Sequence, residues 1–372
     1  MALIAPERAF HPGRLIPVLL IAFGVMLPAG AQGWSASGAA TVCAVVTLLT
    51  GALLVRRSPV WVDHGLSSVA LATGAAAPLL LLAYGEGPFG AGALGLWLFV
   101  AGWLLLLWSR LDVLARVDGT VLRWIAPALF GLALLYLWEV LAVGFAVPQV
   151  LLPAPHQVAV ALARRLDVLW PDFRQTFFRA VLIGYAIGCA GGFVVAIVAD
   201  RFGFLARGLL PVCTLASAMP IVGVAPIMVM WFGFDWPSKA AVVVVVTFFP
   251  MLVNALAGLR ATDAMQRDLM RSYGATPRQT LLALRLPAAL PFIFNALKLN
   301  STLALVSAIV AEFFGSPILG LGFRISAEVA RLNVDVVWAA IAIAALAGSL
   351  FYGAIATVER LLTFWHPSFR TR

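Results

Sequence analysis

One long apolar stretch of the chain, Ala288–Phe313, carries Asn295, Lys298, Asn300, Ser301, Thr302 and Glu312. Offsets of three, four and fourteen residues put Asn295, Lys298, Thr302 and Glu312 near one face of a helix, with Ser301 beside them. At the helical rise, Lys298 falls ~16 Å beyond Pro287, near the middle of a bilayer. A charge at that depth costs roughly 2.5–3.5 kcal/mol on insertion scales, so it must face a cavity or a partner. Two chemistries are open. Either Lys298 attracts an anionic or polar solute, with Ser217, Asn254 and Asn300 adding hydrogen bonds, or it neutralises a carboxylate such as Glu139 and ties helices together. Glu312, toward the far end of the stretch, reads as the brace of a gate rather than a solute contact.

Other chemistries find no seat. Cys43, Cys189 and Cys213 lie within apolar runs without CxxC spacing, and read as small apolar fillers rather than a metal or redox site. His11, His64, His156 and His366 are scattered and form no HExxH pattern. No GxSxG elbow, phosphate-binding Walker loop or glycine-rich dinucleotide fingerprint occurs.

The elements that position these residues follow from composition. The 372 residues are 63% hydrophobic and only 11% charged, with a net charge of +9. A soluble domain cannot hide that much apolar surface, so most of it faces lipid, and the positive balance does not point to nucleic acid. Span-length runs fall near Leu15–Met26, Gly38–Val55, Gly65–Tyr84, Ala91–Trp108 and Trp124–Phe145. Five more fall near Thr176–Ala199, Leu205–Phe232, Ser238–Leu259, Ala288–Phe313 and Val336–Leu362. The expectation is an all-α polytopic membrane protein of about ten transmembrane helices. Lysine and arginine concentrate in alternate loops, which puts both termini and the 261–287 loop in the cytoplasm, although Arg164, Arg165 and Arg174 dissent. Arg8 and Arg14 before a short apolar run and Ala29-Gly30-Ala31 also fit a signal peptide, whose removal leaves every later span's sidedness unchanged.

Two blocks emerge, with a boundary at Asp118–Gly119. The first holds four spans joined by short turns such as GEGPFG at 85–90, and reads as a packing or assembly module. The second holds nearly every specific feature. Val158, Leu162, Leu166 and Leu169 recur at helical spacing beside charges, which predicts a short amphipathic helix on the outer surface. Gly184, Gly188 and Gly192 form a stripe that lets two helix backbones approach, either within the chain or between subunits. Pro211, Pro220 and Pro226 interrupt the span after Leu205, so that segment faces protein or a water-lined path rather than lipid.

DLMRSYGATPRQTLLALRLP, residues 268–287, is a polar interruption with three arginines, one glycine and two prolines. Asp263–Ser272 predicts a short polar helix, Gly274 a turn, and Thr276-Pro277 the N-cap and first position of a second helix reaching Pro287.

This loop resembles the hallmark of the inner-membrane permeases of binding-protein-dependent ABC importers, an EAA-xxx-G-x9-I-x-LP segment that docks into the ATPase subunit. Gly274, nine residues, then Leu284, Arg285, Leu286 and Pro287 reproduce its second half; Asp268-Leu269-Met270 stands where Glu-Ala-Ala is usual. LPAP at 152–155, the glycine stripe, MPIVGVAPIMVMWFG at 219–233, FFPMLVNALAGLR at 248–260, Glu312 and GLGF at 320–323 place it nearest the sulfonate, taurine and nitrate branch, which also contains permeases for pyrimidine precursors. The resemblance covers about residues 125–372 and says nothing of the first four spans.

It implies a six-span permease core, 119–372, with a cytoplasmic coupling loop, 261–287, preceded by a four-span accessory region, 1–118. It implies ATPase coupling by Asp268, Arg271, Gly274, Ala275, Leu284, Arg285, Leu286 and Pro287. It implies a solute path past Ser217, Met219, Pro220, Asn254, Lys298, Asn300, Ser301 and Thr302, with Glu312 at a gate. The implied partners are an ABC ATPase dimer, an external solute-binding protein and a second copy of the chain. ATP and Mg would be held by the ATPase and not by this chain. The cargo would be a sulfonate-, taurine- or nitrate-like anion, or else a pyrimidine-type vitamin precursor. An ion-coupled secondary transporter would need inverted repeats and paired mid-membrane carboxylates, and neither is evident.

Overall fold

Away from water, runs this apolar can satisfy their backbone amides only within themselves, and helices result. The computed structural model describes residues 15–27, 29, 34, 37–55, 60–84, 93–115, 122–217, 219–315 and 318–365, all of whose regular elements are helical. Arg8, Arg14, Gly30 and Ala31 of the signal-like region, His11, the GEGPFG turn, the Asp118–Gly119 boundary and His366 lie outside the described residues. By contact the chain forms two compact units, Met1–Gln157 and Val158–Arg372.

The first unit holds α1 (Leu15–Met26), α2 (Gly38–Val55), α3 (Val60–Tyr84), α4 (Leu94–Ala115) and α5 (Leu122–Gly144). Helix α1 packs on α4, and α2 on α3. A Cβ on Gly24 would lie 2.5 Å from the Phe99 nitrogen, so α1 and α4 meet backbone to backbone. Trp34, Leu81, Leu96 and Phe99 fill the core beside them. The indole nitrogens of Trp34 and Trp103 donate to the carbonyls of Gly24 (2.9 Å) and Leu71 (3.0 Å), so neither ring leaves a polar atom unpaired.

The second unit is built on α6 (Pro155–Arg164), α7 (Leu166–Phe173), a π-helical stretch (Arg174–Val181) and α8 (Leu182–Arg201). The expected single amphipathic helix is thus two, α6 and α7, parted at Arg165; Val158 and Leu169 are buried, whereas Leu166 is exposed. Next come α9 (Gly203–Ser217) and α10 (Ile221–Phe232), which are bent by 99° at the break between them. Of the three prolines only Pro220 stands at that break, as the N-cap of α10; Pro211 and Pro226 lie inside helices.

Helix α11 (Trp236–Arg260) is capped by the Asp235 side chain, which accepts from Trp236 N at 2.8 Å. It sits between α8 and the later α14. The glycine stripe serves this contact: Cβ atoms on Gly184 and Gly192 would lie 2.6 and 2.5 Å from the carbonyl oxygens of Ala240 and Phe248. The stripe is therefore an internal helix-packing seam. After α11 come α12 (Ala264–Ser272), α13 (Pro277–Thr280), a second π-helical stretch (Leu281–Arg285), α14 (Leu286–Gly315), α15 (Leu321–Ala330) and α16 (Val334–Leu362).

Among the described residues seven helices are long and apolar enough to cross a membrane, or eight if the bent pair α9–α10 makes one span. Leu15–Met26 and Gly38–Leu54 are shorter apolar helices among the described residues, so the expected count of ten is not confirmed.

Candidate functional site

Chemistry-bearing side chains gather at three levels of the second unit. The first is the loop after α11. Helix α12 has nine residues and buries none of them; Met265 and Leu269 stand exposed on it, and so does Tyr273 at its C-cap. Gln266 accepts from Asp263 N at its start (3.3 Å). At its end Gly274 N donates to Arg271 O (2.9 Å) and Ala275 N to Met270 O (3.0 Å), a Schellman closure with Gly274 at φ +68°. As expected, Thr276 caps α13: its backbone N–H donates to Gln279 Oε1 (2.7 Å), its hydroxyl accepts from Gln279 N, and Pro277 takes the first turn.

The predicted coupling residues then divide. Asp268 and Arg271 are exposed and, among the described residues, pair with each other at 3.3 Å. Arg285 turns inward instead. Its two terminal nitrogens each lie 2.7 Å from an Asp200 carboxylate oxygen, and its Nε donates to Leu259 O at 3.0 Å. Asp200 is in the last turn of α8 and Leu259 in that of α11, so one planar guanidinium rivets the loop to both helices. Leu284, Leu286 and Pro287 are half-buried beside it, and Leu286 packs on the helix core. A cleft of about 560 Å³ opens there between Asp200, Arg260, Arg267, Arg271 and Arg285.

The second level holds Lys298. Its Nζ lies 2.7 Å from Glu359 Oε2, with the two side chains 19% and 9% exposed. Glu359 is three residues from the end of α16, and Pro277–Gly315 runs as one helical stretch of 39 residues. Lys298 therefore stands at the level of the last turn of α16, not of its middle as the distance from Pro287 implied. Glu139 is not its partner; that carboxylate accepts from His156 N (3.1 Å) and faces His156 Nδ1 (2.6 Å).

Of the remaining pathway residues, four bond locally among the described residues. Ser217, Asn254, Ser301 and Thr302 each donate to a carbonyl three or four residues back, on Cys213, Pro250, Lys298 and Leu299. Asn300 is fully buried; its Nδ2 donates to Thr247 O (2.7 Å) and contacts Cys189 Sγ (3.3 Å), while Oδ1 has no hydrogen-bond partner. Met219 and Pro220 are exposed at the α9–α10 break.

At the third level, the end of the unit away from α12, Glu312 is 2% exposed. Its Oε1 accepts from Thr176 Oγ1 and its Oε2 from Gly322 N, both at 2.7 Å. Thr176 in turn accepts from Leu321 N (2.8 Å). Asp172 is fully buried; it accepts from Gly320 N (2.9 Å) and Arg324 Nε (2.7 Å). Gly320 has φ +132°, and a Cβ there would lie 2.6 Å from the Glu312 carboxyl carbon, so only glycine fits. Lys239, 2% exposed, donates to the carbonyls of Phe234 and Gly315.

Asp172, Thr176, Lys239, Asp200, Arg324 and Glu359 were not among the residues expected from sequence to act here. The available signal was a lone carboxylate or cation within or at the end of an apolar run, which demands a partner. Among the described residues no three metal-ligating side chains converge.

Residues 188–363 match the family described as binding-protein-dependent transport system inner membrane component. The chain is 31% identical to a probable ABC transporter permease protein of Haemophilus influenzae, over 60% of this chain and 90% of that one. It is also 31% identical to a formylaminopyrimidine transport permease protein of Halalkalibacterium halodurans (64% and 95% covered) and 29% identical to the taurine transport system permease protein of Escherichia coli (63% and 86% covered). Together with a helical, multi-spanning fold and an exposed α12–α13 turn, these likenesses identify the chain as an inner-membrane permease of the binding-protein-dependent ABC importer family.

Proposed function

We propose that this chain imports a small polar solute by alternating access, driven through the loop around Gly274 by a dimer of ATPase subunits. Permeases of this family work with an ATPase and a solute-binding protein, and the ATPase is a separate subunit. The observation that carries the reading is the contrast within the loop. Helix α12 and its C-cap offer Met265, Leu269 and Tyr273 to a partner, while Arg285 binds the same loop to α8 and α11. A push on α12 is thereby delivered to two spanning helices. Asp268, Arg271, Gly274 and Ala275 form the gripped end, and Leu284–Pro287 the transmitting end. ATP and Mg act on the partner subunit.

In this reading the loop and both termini face the cytoplasm and a second copy completes the path. Ser217, Met219, Pro220, Asn254, Asn300, Ser301 and Thr302 line or support it, and Glu312 braces the outer gate through the Gly320–Gly322 turn. The core runs from 119 to 372, and the first 118 residues are accessory. Relatives matched over 86–95% of their own length account for only 60–67% of this chain, which supports that division.

For the cargo, the likeness to taurine and sulfonate permeases supports a sulfonate-, taurine- or nitrate-like anion. One observation favours a pyrimidine-type precursor instead: Lys298 is already neutralised by Glu359 and offers no free cation. Vesicles holding the chain, its ATPase and its receptor test both. Uptake is expected to need ATPase and ATP, and full-rate uptake without them defeats the mechanism. Lys298→Met paired with Glu359→Leu is expected to spare heterocycle uptake; abolition of uptake with the protein still folded returns Lys298 to the anion path.

A further inference from the structure

The end of the second unit away from α12 carries two clefts that the transport reading does not use. One, of about 440 Å³, is lined by Arg174, Gln175, Phe178, Arg179 and Leu319. The other, also about 440 Å³, is lined by Ile183, Ile187, Met228, Trp231, Trp236 and their apolar neighbours on α11. Gln175, Arg179, Ile183 and Ile187 recur every four residues along the helical stretch Leu166–Arg201, so the two clefts occupy consecutive lengths of one helix face. The face is cationic at its outer end and apolar below. The cationic length is wound as a π-helix, a rare geometry that is frequent at functional sites.

Arg174 and Arg179 are exposed, and among the described residues neither has an acidic partner. Arg179 Nη1 donates to Gln175 Oε1 (3.2 Å), and Gln175 Nε2 donates to Asp235 Oδ1 (3.1 Å). That same oxygen accepts from Trp236 N, so Asp235 is held as the α11 cap. Trp231 is 71% exposed beside the groove. An indole where an apolar zone meets a charged one is the pattern of a membrane interface.

A hydrated polar solute gains nothing from a groove walled by isoleucine, methionine and tryptophan, whereas an acyl chain fills it by van der Waals contact. A phosphodiester matches two unneutralised guanidiniums. We propose that this stripe seats one anionic phospholipid from the leaflet opposite the coupling loop. Its phosphate rests on Arg174 and Arg179, and one acyl chain lies along Ile183, Ile187, Met228 and Trp231.

The test is lipid retention by the full-length protein in nanodiscs of mixed phosphatidylglycerol and phosphatidylcholine, read by native mass spectrometry. Wild type is expected to retain phosphatidylglycerol selectively. R174Q/R179Q is expected to lose about thirtyfold of that preference, at roughly fivefold per arginine. I187W, which fills the groove and leaves both arginines, is expected to lose the bound lipid as well. Wild type without any preference overturns the proposal with no variant needed. So does R174Q/R179Q with its preference intact, or inorganic phosphate competing equally in I187W, which marks a soluble-anion site. An I187W protein that retains its phosphatidylglycerol but no longer self-associates makes the groove a contact between copies and also overturns it. Because the readout is bound lipid, failure of the transport reading leaves the result interpretable.

Discussion

Around Gly320, two buried carboxylates and a buried hydroxyl are matched, with a half-buried guanidinium, to one another and to three consecutive backbone amides. Around Gly274, a nine-residue helix buries nothing and its one acidic side chain pairs across its own surface. Both places turn the chain on a positive-φ glycine, yet the surroundings differ. At Gly320–Gly322 the three backbone amides are held by Asp172, Thr176 and Glu312. Beyond Gly274 the loop hangs on Arg285 alone among its arginines. A structure that must pass force from a soluble partner to membrane helices needs a free handle with one firm attachment, and a rigid stop at the far end.

The sharpest way to break this comparison is at the rigid end. Asp172→Ala leaves Arg324 without its buried carboxylate and Gly320 N without an acceptor. We expect a loss of about 3–5 kcal/mol, the usual range for a buried pair deprived of one partner. Denaturant unfolding in detergent checks it, and a loss no larger than that of a surface variant erases the distinction between the two ends. The next effect belongs to the rivet. Arg285→Lys keeps the charge but not the fork, and gives up hydrogen bonds worth roughly 1.5–3 kcal/mol each. ATP-driven uptake is expected to fall at least about tenfold while the ATPase still binds and hydrolyses ATP. Uptake that stays tied to hydrolysis shows that force travels by another route.

These two residues also show what could be read from sequence. Thr276-Pro277 and Gly274 were legible because caps and turns are local, set by residues within four positions of one another. Arg285 was legible as part of a motif but not as a rivet, since its partner Asp200 lies 85 positions away. Lys298 plainly needed a carboxylate, but composition could not choose among the candidates; Glu359 was selected by the packing of α14 on α16. Asp172 and Arg324 lie 152 positions apart and became a pair only once α7 met α15. The span count of ten is not confirmed, because α1 and the searched part of α2 are short among the described residues.

A smaller effect is expected at the handle's turn. Gly274→Ala places a side chain at φ +68°, a conformation that costs about 1–2 kcal/mol for residues other than glycine. No atom lies within 4 Å of the added Cβ, so the strain stays local. Unfolding of the membrane part should hardly change, whereas affinity for the ATPase should fall by about fivefold to thirtyfold if all of that strain is relieved by distorting α12. Equal affinity in a pull-down titration removes the turn from the docking surface.

Asp268→Asn should disturb the molecule least and so tests the comparison most closely. Its side chain and that of Arg271 are 68% and 82% exposed, and a surface ion pair three residues apart is screened by water and salt. The isolated chain should unfold as the wild type does. Any effect must then appear only when the ATPase is present, as a salt-sensitive change in affinity, and Asp268→Glu, which restores the longer arm, should match or exceed wild type. If Asp268→Asn instead destabilises the isolated chain, α12 is not a free handle, and the division between a held end and a hanging end is wrong at the point where it is easiest to see.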